Sequence, residues 1–254
     1  MSLATLIHRA SLVSKKPSVA YAQGMVFQLD CFSGITYNSN NIPTKWTDLI
    51  GGREFDLVNV TQDATTKGLV FDGTAKGTTT NDIPWQPGSG TIEAVFTLEG
   101  GTYNAPILSN NVSGYYILHM AVGTSGEIVN RVYICPRIAT SAAADRKYSS
   151  IFPGKYTDSD FPHFTTAYVS CTAYNESETT YVGKTLFNGS YMSEYRSNVV
   201  SRTNYSRVGI GYKNTSKGES YHTGKIFAIR IYNRRLSEEE QLHNYQLDRE
   251  RFNV

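Results

Sequence analysis

Apolar and polar residues alternate in short runs along the chain from residue 25 onward. In the first run, "MVFQLDCF", Phe27 and Leu29 alternate with Gln28 and Asp30. The later runs of the same character are "EFDLVNV", "GLVFDG", "TIEAVFTLEG", "YYILHMAV", "RVYICPRI", "HFTTAYVSCTAY", "TTYVGKTLFNG", "SRVGIGY" and "GKIFAIRIYN". Alternation with many Val, Ile, Tyr, Phe and Thr residues is typical of β-strands, and Gly, Asn, Pro or Asp separates most of the runs. Many short strands with turn signals between them predict an all-β sandwich or barrel.

The hydrophobic period changes near the C-terminus, from that of a strand to that of a helix. Residues 225–232 alternate like a strand, and a short turn follows. Ser237 then provides an N-cap, and Glu240 three residues later completes a capping box. A short helix over residues 237–250 is therefore predicted. Its apolar positions, which recur at roughly helical spacing and are expected to lie on the sandwich, are Leu242, Tyr245 and Phe252.

The N-terminal segment differs from the rest of the chain. Residues 1–24 combine apolar residues that approximate one helical face with three positive charges, and the first acidic residue is Asp30. We interpret residues 1–24 as a basic arm that docks on a partner and precedes one sandwich domain at 25–254, although a loosely structured terminus is the alternative. The residues expected to make the docking contacts are Leu3, Leu6, Ile7, Arg9, Lys15 and Lys16.

Composition and charge restrict the classes of function. The chain has 254 residues and a net charge of +2, which gives no support to nucleic-acid binding as its main role. The sequence contains no run of about 18 apolar residues, so no membrane-spanning helix is predicted. The N-terminal charges follow the apolar residues rather than precede them, so a protein kept in a cytoplasm, or exported without a cleaved signal, is expected. Cys31, Cys135 and Cys171 lie in strand-like runs and are expected to be free, buried thiols rather than a disulfide or metal framework.

The closing stretch "GKIFAIRIYNRRLSEEEQLHNY" resembles the C-terminal signature of laminin G-like, concanavalin A-like lectin and glucanase jelly-roll domains. Further landmarks of that family occur in order as "KWTDLIGG", "LVFDGT", "TIEAVFTLE", "FPHFTTAYVS", "TLFNGSY" and "SRVGIGY". The resemblance covers about residues 25–252 and implies a two-sheet antiparallel jelly-roll sandwich. It implies less about function, because this fold hosts glycan binding, adhesion, hydrolysis and assembly.

Paired carboxylates are the first chemistry to look for in such a fold. Glycoside hydrolases of the family that this sequence resembles carry Glu-x-Asp-x-Glu on one strand. A retaining enzyme needs two carboxylates about 5 Å apart. No such run occurs, Glu93 stands alone in its strand, and Glu176 and Glu178 lie in a loop-like segment. We therefore predict structural or solvated roles for these acids, no catalytic residue, and a protein that is not an enzyme.

A metal site is the second candidate. Asp158, Asp160 and His163 lie close together in "DSDFPHF", and carboxylates with a histidine can bind a metal. Because His163 matches the first residue of a strand in the resembling family, a structural role is favoured. Relatives of this fold hold calcium at loop rims, but no cluster of three or more carboxylates marks such a site here. No metal and no cofactor are predicted.

Aromatic side chains are the remaining candidates for ligand binding. Sugar sites stack pyranose faces on Trp or Tyr, with amides and carboxylates around them. Trp85 lies in a Pro/Gly-rich segment, where it either stacks on a ligand or plugs the edge of the sandwich. The predicted ligand-binding residues are Trp85, Tyr115, Tyr191 and Tyr221.

Three functions fit these features. The first is a non-enzymatic structural or adhesion protein of a bacteriophage virion, such as a head fibre, decoration, or tail or collar component, assembled in the bacterial cytoplasm. Its partners would be other virion proteins, further copies of itself in a homo-oligomer, and a host-surface glycan, with no nucleic acid and no membrane insertion. The second is a carbohydrate-binding module of a secreted or surface bacterial protein. The third is a glycan-active enzyme with an unrecognised site.

Overall fold

The computed structural model describes most of the chain from Ala20 onward. The described ranges are 20, 22–85, 89–99, 104–110, 115–122, 132–136, 149–152, 164–177, 180–192, 194–198, 207–215 and 218–253. Apart from Ala20 and residues 22–24, the predicted N-terminal arm lies outside them. The described chain forms an antiparallel β-sandwich with one short C-terminal helix, which confirms the predicted fold class.

The strands are short, as the sequence predicts. In chain order they are β1 (Met25–Asp30), β2 (Ile35–Tyr37), β3 (Pro43–Thr47), β4 (Glu54–Val58), β5 (Thr61–Gln62), β6 (Leu69–Asp72), β7 (Lys76–Thr78), β8 (Ser89–Leu98), β9 (Asn104–Asn110), β10 (Tyr115–Val122), β11 (Val132–Pro136), β12 (Ser149–Phe152), β13 (Phe164–Asn175), β14 (Thr180–Phe187), β15 (Ser190–Tyr191), β16 (Tyr195–Asn198), β17 (Val208–Ile210), β18 (Tyr212–Thr215), β19 (Gly218–Tyr221) and β20 (Thr223–Tyr232).

The strands of the described residues form two large sheets and one separate hairpin. Sheet A has the order β15-β14-β13-β8-β20-β6-β5, with β1 paired to β20 and β16 paired to β14. Sheet B has the order β12-β11-β10-β9-β17-β7-β4-β3-β2, and β18 pairs with β19 in a separate hairpin. All the described strand pairs of both sheets are antiparallel.

The core lies between the two sheets because each sheet turns one set of alternating residues inward. In sheet A, Ile92 of β8 is paired with Ile231 of β20, and both side chains are fully buried. The rings of Phe27 in β1 and Phe55 in β4 meet edge to face at 6.0 Å, which joins sheet A to sheet B. The indole of Trp46, a predicted core residue, is also fully buried, and its Nε1 donates to the carbonyl oxygen of Asp30 at 3.1 Å.

Helix α1 (Glu238–Phe252) begins as the sequence predicts. The backbone N–H of Glu240 donates to Ser237 Oγ at 3.2 Å, and the backbone N–H of Ser237 donates to a Glu240 carboxylate oxygen at 2.8 Å. This reciprocal capping box fixes the start of the helix. At the other end Asn253 adopts the left-handed backbone conformation, with φ at 59°, and closes the helix.

The face that helix α1 buries is more polar than the sequence suggests. Phe252 belongs to the core cluster, and Leu242 and Tyr245 pack against that cluster while partly buried. The other buried helix residues, which recur at helical spacing, are Gln241, Asn244 and Asp248. The helix therefore covers sheet A through a polar stripe flanked by apolar contacts.

Two cysteines are free and buried, namely Cys31 and Cys171. The side chain of Cys135 lies outside the described part of the structure. Within the described residues, the one helix is neither long enough nor apolar enough to span a membrane.

Candidate functional site

The face of sheet B that points away from the core carries a row of polar side chains. Lys45 of β3 is paired with Asp56 of β4, and Asp56 is in turn paired with Thr78 of β7. Residues directly opposite each other in antiparallel strands point to the same face. The neighbouring residues Trp46 and Phe55 are fully buried in the core, so Lys45, Asp56 and Thr78 project outward.

A cleft of about 520 Å³ lies over this polar face. Its floor is formed by the outward side chains of β3, β4 and β7, which are Lys45, Glu54, Asp56, Lys76 and Thr78. Its rim is formed by the segment after β7, the residue before β17 and the start of the β18–β19 hairpin, which contribute Thr79, Thr80, Asn81, Arg207, Tyr212 and Asn214. The lining is therefore made of hydroxyl, amide, carboxylate and basic groups together with one tyrosine.

Three charged residues form an open ion cluster on the floor. The Lys45 ammonium contacts the Glu54 carboxylate, and its Nζ lies 3.9 Å from Asp56 Oδ1. The hydrogen bond to Glu54 raises the pKa of Lys45, so the ammonium stays charged at neutral pH. The side chains of Glu54 and Asp56 are 53% and 75% exposed. Their remaining oxygens can therefore accept hydrogen bonds from a ligand in the cleft.

Tyr212 forms one wall of the cleft, although it is only 5% exposed, and Tyr221 packs against its ring. Tyr212 and Tyr221 are paired across the β18–β19 hairpin, with ring centroids 5.2 Å apart. Lys76 Nζ lies 4.8 Å from the centroid of the Tyr212 ring, a cation–π contact. Tyr212 Oη donates to Glu219 Oε1 at 2.7 Å, and Tyr221 Oη donates to the other oxygen of that carboxylate.

The charge states of this wall are fixed by those hydrogen bonds. The two phenols, Tyr221 first, lower the pKa of Glu219, so its carboxylate is ionised at neutral pH. The hydrogen bond to Glu219 raises the pKa of Tyr221 to about 12, and burial together with Glu219 raises the pKa of Tyr212 above its ordinary range. Both phenols thus keep their protons, and the wall is held in one arrangement.

The structure places the predicted ligand-binding aromatics in different parts of the molecule. Tyr221 packs on Tyr212, a cleft residue. Tyr191 lies on β15 of sheet A, where its Oη donates to Gln241 of helix α1 at 3.1 Å. Trp85 is 2% exposed and belongs to the core cluster, so its ring offers no open face and fits the alternative of an edge plug. The side chain of Tyr115 lies outside the described part of the structure.

Glu93, one of the acids assigned a structural role, lies in a sealed network between sheet A and helix α1. It is fully buried and accepts hydrogen bonds from Tyr168 Oη at 2.7 Å and Asn244 Nδ2 at 3.1 Å. Arg230 NH1 lies 3.5 Å from Glu93, and NH1 and NH2 donate to the two carboxylate oxygens of Asp248 at 2.6 and 2.8 Å. No ligand can reach these buried groups without displacing the helix.

Burial and charge oppose each other in this sealed network. Burial raises the pKa of Glu93, while Arg230 and the hydrogen bonds lower it. Burial alone would lower the pKa of Arg230, but the carboxylates of Asp248 and Glu93 hold it above its ordinary value. Asp248 also lies 3.5 Å from Arg251, whose other nitrogen reaches Asp30 at 2.6 Å. Every charge in the network therefore has an opposite partner.

The other acids considered in the sequence give no site within the described residues. Glu176 is exposed, whereas Glu178, Asp158, Asp160 and His163 lie outside the described ranges. In the described part of the chain, no three His, Cys, Asp or Glu side chains come together as metal ligands.

None of the residues that line the cleft was predicted from the sequence, but Glu54 and Asp56 carry a local signal that could have been used. They lie two positions apart in "EFDLV", and the intervening Phe55 is buried, so both carboxylates project from one face of β4. Glu54 and Asp56 match the first two of the three acids in the Glu-x-Asp-x-Glu pattern, but the third is missing, since residue 58 is Val58. The alternation of acid and apolar residues was a usable signal for an exposed carboxylate pair.

Comparison with solved structures identifies proteins that share this fold. A Trypanosoma rangeli sialidase mutant displaying trans-sialidase activity aligns over 92% of this chain and 34% of its own, with 15% identity and a TM-score of 0.59. Domain 4 of AbnA, a GH43 extracellular arabinanase from Geobacillus stearothermophilus, in complex with arabinotriose, aligns over 87% of this chain and 98% of its own, with 11% identity and a TM-score of 0.56. A protein described as a receptor binding domain aligns over 88% of this chain and 50% of its own, with 13% identity and a TM-score of 0.55.

The chain shares the β-sandwich fold of these proteins. It spans about a third of the sialidase chains, with 34% and 33% of their length covered in two of them. No family model and no curated protein match the sequence. The resemblance to lectin-like jelly-roll domains is thus supported at the level of the sandwich and not at the level of the family.

The prediction that this protein is not an enzyme is contradicted by the same comparison. Several of the solved chains that contain a sandwich of this shape are sialidases, and one displays trans-sialidase activity. The prediction rested on the missing Glu-x-Asp-x-Glu run. That run is a feature of one group of glycoside hydrolases, so its absence does not separate enzymes from binding domains on this fold.

Proposed function

We propose that this protein is a carbohydrate-binding domain that holds its glycan in the cleft on sheet B. The observation that carries the proposal is the composition of this cleft. Carboxylates, hydroxyls, two amides and basic groups converge there beside Tyr212. Glycans present many hydroxyl groups, and a cleft with several converging hydrogen-bonding side chains can bind them.

The rigid floor supports this proposal. Lys45, Asp56 and Thr78 stand on three neighbouring strands in continuous register. Side chains directly opposite each other on adjacent strands have Cβ atoms about 5 Å apart. One sugar ring can therefore meet groups from two strands at once, and a longer glycan can run across the sheet. Strand pairing fixes the backbone positions of these groups, so their spacing across the sheet is set before a ligand binds.

A neighbouring structure supports the same class of ligand. The arabinanase domain that matches this chain over 98% of its own length is described in complex with arabinotriose. A sandwich of this size can thus bind an oligosaccharide as a separate domain. The identity of 11% carries over no individual residue, so the position of the site here rests on the cleft.

Titration of oligosaccharides by calorimetry, after a screen on a glycan array, tests this proposal. Asn81→Ala removes an exposed amide from the cleft rim and is expected to weaken binding several-fold, because that amide can both donate to and accept from sugar hydroxyls. Asn40→Ala is the matched control, since Asn40 is exposed in the β2–β3 turn and does not line the cleft. Equal weakening by both variants, or no binding of any glycan by the parent protein, would refute the cleft as a carbohydrate site.

The biological setting of the domain remains a prediction with two versions. The basic, apolar N-terminal arm supports a role on a phage virion, where it would dock on other virion proteins. The likeness to a domain of an extracellular arabinanase supports a module of a secreted or surface protein equally well. Fractionation of the native source distinguishes them, because the protein should purify either with virions or with the secreted fraction.

A further inference from the structure

The basic residues of the cleft differ in whether a carboxylate of the described chain lies close to them. Lys45 is paired with Glu54 and lies close to Asp56. Lys76 lies over the ring of Tyr212 and interacts electrostatically with Glu219. Arg207, at the opposite rim, has no carboxylate within ion-pair distance among the described residues.

The charges are consequently segregated across the cleft. The floor beside β3 and β4 carries two carboxylates around one ammonium, and the Arg207 rim carries a guanidinium that the described residues leave without an acidic partner. A ligand with hydroxyl donors at one end and an anionic group at the other end would satisfy both sides. A neutral glycan would offer the guanidinium only uncharged oxygen acceptors.

The backbone of Arg207 lies directly before a strand of the cleft. Its φ angle is 52°, in the left-handed region that glycine and asparagine adopt more readily than arginine. The next residue, Val208, is fully buried at the start of β17, which pairs with β7 in the cleft floor. Strand β17 therefore anchors the backbone of Arg207 beside the cleft floor, and its exposed side chain lines the cleft.

We propose that the glycan bound in this cleft is acidic and that Arg207 binds its carboxylate. This inference rests on the proposed carbohydrate site and names its substrate class, a sugar such as a uronate or a sialic acid. The planar guanidinium presents two parallel N–H donors that match the two oxygens of a carboxylate. The hydroxyl groups of the same sugar would then donate to Glu54 and Asp56 across the cleft.

Matched pairs of oligosaccharides test the inference by calorimetric titration. The first pair is trigalacturonate and its methyl ester, and the second is sialyllactose and lactose, so that each acidic sugar is compared with a close relative that lacks the charge. In at least one pair, the acidic member is expected to bind about tenfold tighter, because its carboxylate forms a charge-assisted bond. Its affinity should fall as salt is added, whereas that of the neutral member should not.

Two variants separate Arg207 from a general effect of positive charge. Arg207→Gln should abolish the preference, so that the acidic and the neutral member of the pair bind with equal affinity. Lys67→Gln removes the same charge from another exposed residue with a positive φ, 65°, that does not line the cleft, and it should preserve the preference. Unchanged thermal unfolding of Arg207→Gln shows that the sandwich is intact.

The outcomes distinguish this inference from the proposed function beneath it. Equal affinity for the acidic and neutral members of both pairs, with binding that Asn81→Ala weakens, would overturn the inference and leave the carbohydrate site standing. A preference for the acidic sugar that survives Arg207→Gln would also overturn it. Failure of every glycan to bind would overturn both.

Discussion

Two clusters of charged residues occupy opposite outer faces of the sandwich. Beneath helix α1, Arg230 and Glu93 have side chains that are 1% and 0% exposed. On the open face of sheet B, Lys45 and Asp56 have side chains that are 39% and 75% exposed. Both clusters pair basic groups with carboxylates across neighbouring strands, so the difference between them is access to water.

That difference assigns the two clusters to different tasks. A buried charge loses its hydration and must be compensated by partners, so the groups of the sealed network are committed to one another. An exposed pair contributes little to stability because water and salt screen it. The groups of the open cluster can therefore turn to a ligand without loosening the fold. The same residue types serve the fold on one face and are available for recognition on the other.

Removal of the central cation of the sealed network is expected to have the largest effect on stability. Arg230→Met leaves Glu93 and Asp248 buried with less positive charge around them. The free energy of unfolding is expected to fall by about 3–5 kcal/mol, because removing one partner of a buried pair leaves uncompensated charge. Urea denaturation measures this loss as a lower midpoint at an unchanged slope.

Lys45→Met is the matched variant on the open face. Since Lys45 is exposed and its pair with Glu54 is screened by water, the urea midpoint should not change measurably. If the two variants lost similar stability, the division between a structural face and a recognition face would be wrong.

A second prediction uses acid to probe the buried side of the hairpin that carries the tyrosine wall. His222 directly follows Tyr221 but is fully buried, and its Nε2 donates to the carbonyl oxygen of Thr97 at 2.9 Å. Burial lowers the pKa of His222 from 6.5 to about 4, so the unfolded chain takes up a proton before the folded protein does. The free energy of unfolding should therefore decrease as pH falls from about 6.5 to about 4, by about 3 kcal/mol in total.

The variant His222→Gln provides the comparison for this pH effect. It removes the titrating group, so its stability should vary much less between pH 6.5 and pH 4.5. Glu93 acts with the opposite sign, because burial raises its pKa and its folded form gains a proton first. A variant whose urea midpoint fell with pH as steeply as that of the parent would show that His222 is not the cause.

The smallest expected effect concerns the start of helix α1, which seals the buried network. Ser237→Ala removes the side-chain oxygen that accepts from the Glu240 backbone and should lower the free energy of unfolding by about 1 kcal/mol. Ser237→Gly should cost only a few tenths of a kcal/mol. Thermal unfolding of the two variants checks the order, and a larger loss for glycine than for alanine would argue against a capping effect.

The features predicted from the sequence are those that depend on neighbouring residues. Alternation identified the strands, and the spacing of Ser237 and Glu240 identified the helix start. The burial of Glu93 could not be found in this way, because its partner Asn244 is 151 residues away. The hydrogen bond of Tyr191 likewise depends on Gln241, which lies on helix α1 and is distant in the sequence.

The cleft was hidden from the sequence for the same reason. The alternation in β4 shows that Glu54 and Asp56 point to the same face. Which residues lie beside them on that face of sheet B depends on strand pairing. Thr78 of β7 pairs with Gly209 of β17, and this long-range pairing brings Arg207 to the rim. The sequence can thus indicate candidate residues for a site, but the strand topology determines which of them lie next to one another.

The assignment of recognition to the open face is tested most directly by mapping a bound glycan with backbone amide chemical shifts. The probe is the oligosaccharide that binds tightest on the array, titrated into the full chain. The amides of Asp56, Thr78, Asn81 and Arg207 should shift together, while those of Asn244 and Asp248 in the sealed network should stay in place. Shifts that instead cluster around helix α1 or Tyr191, with the cleft amides unmoved, would contradict the account.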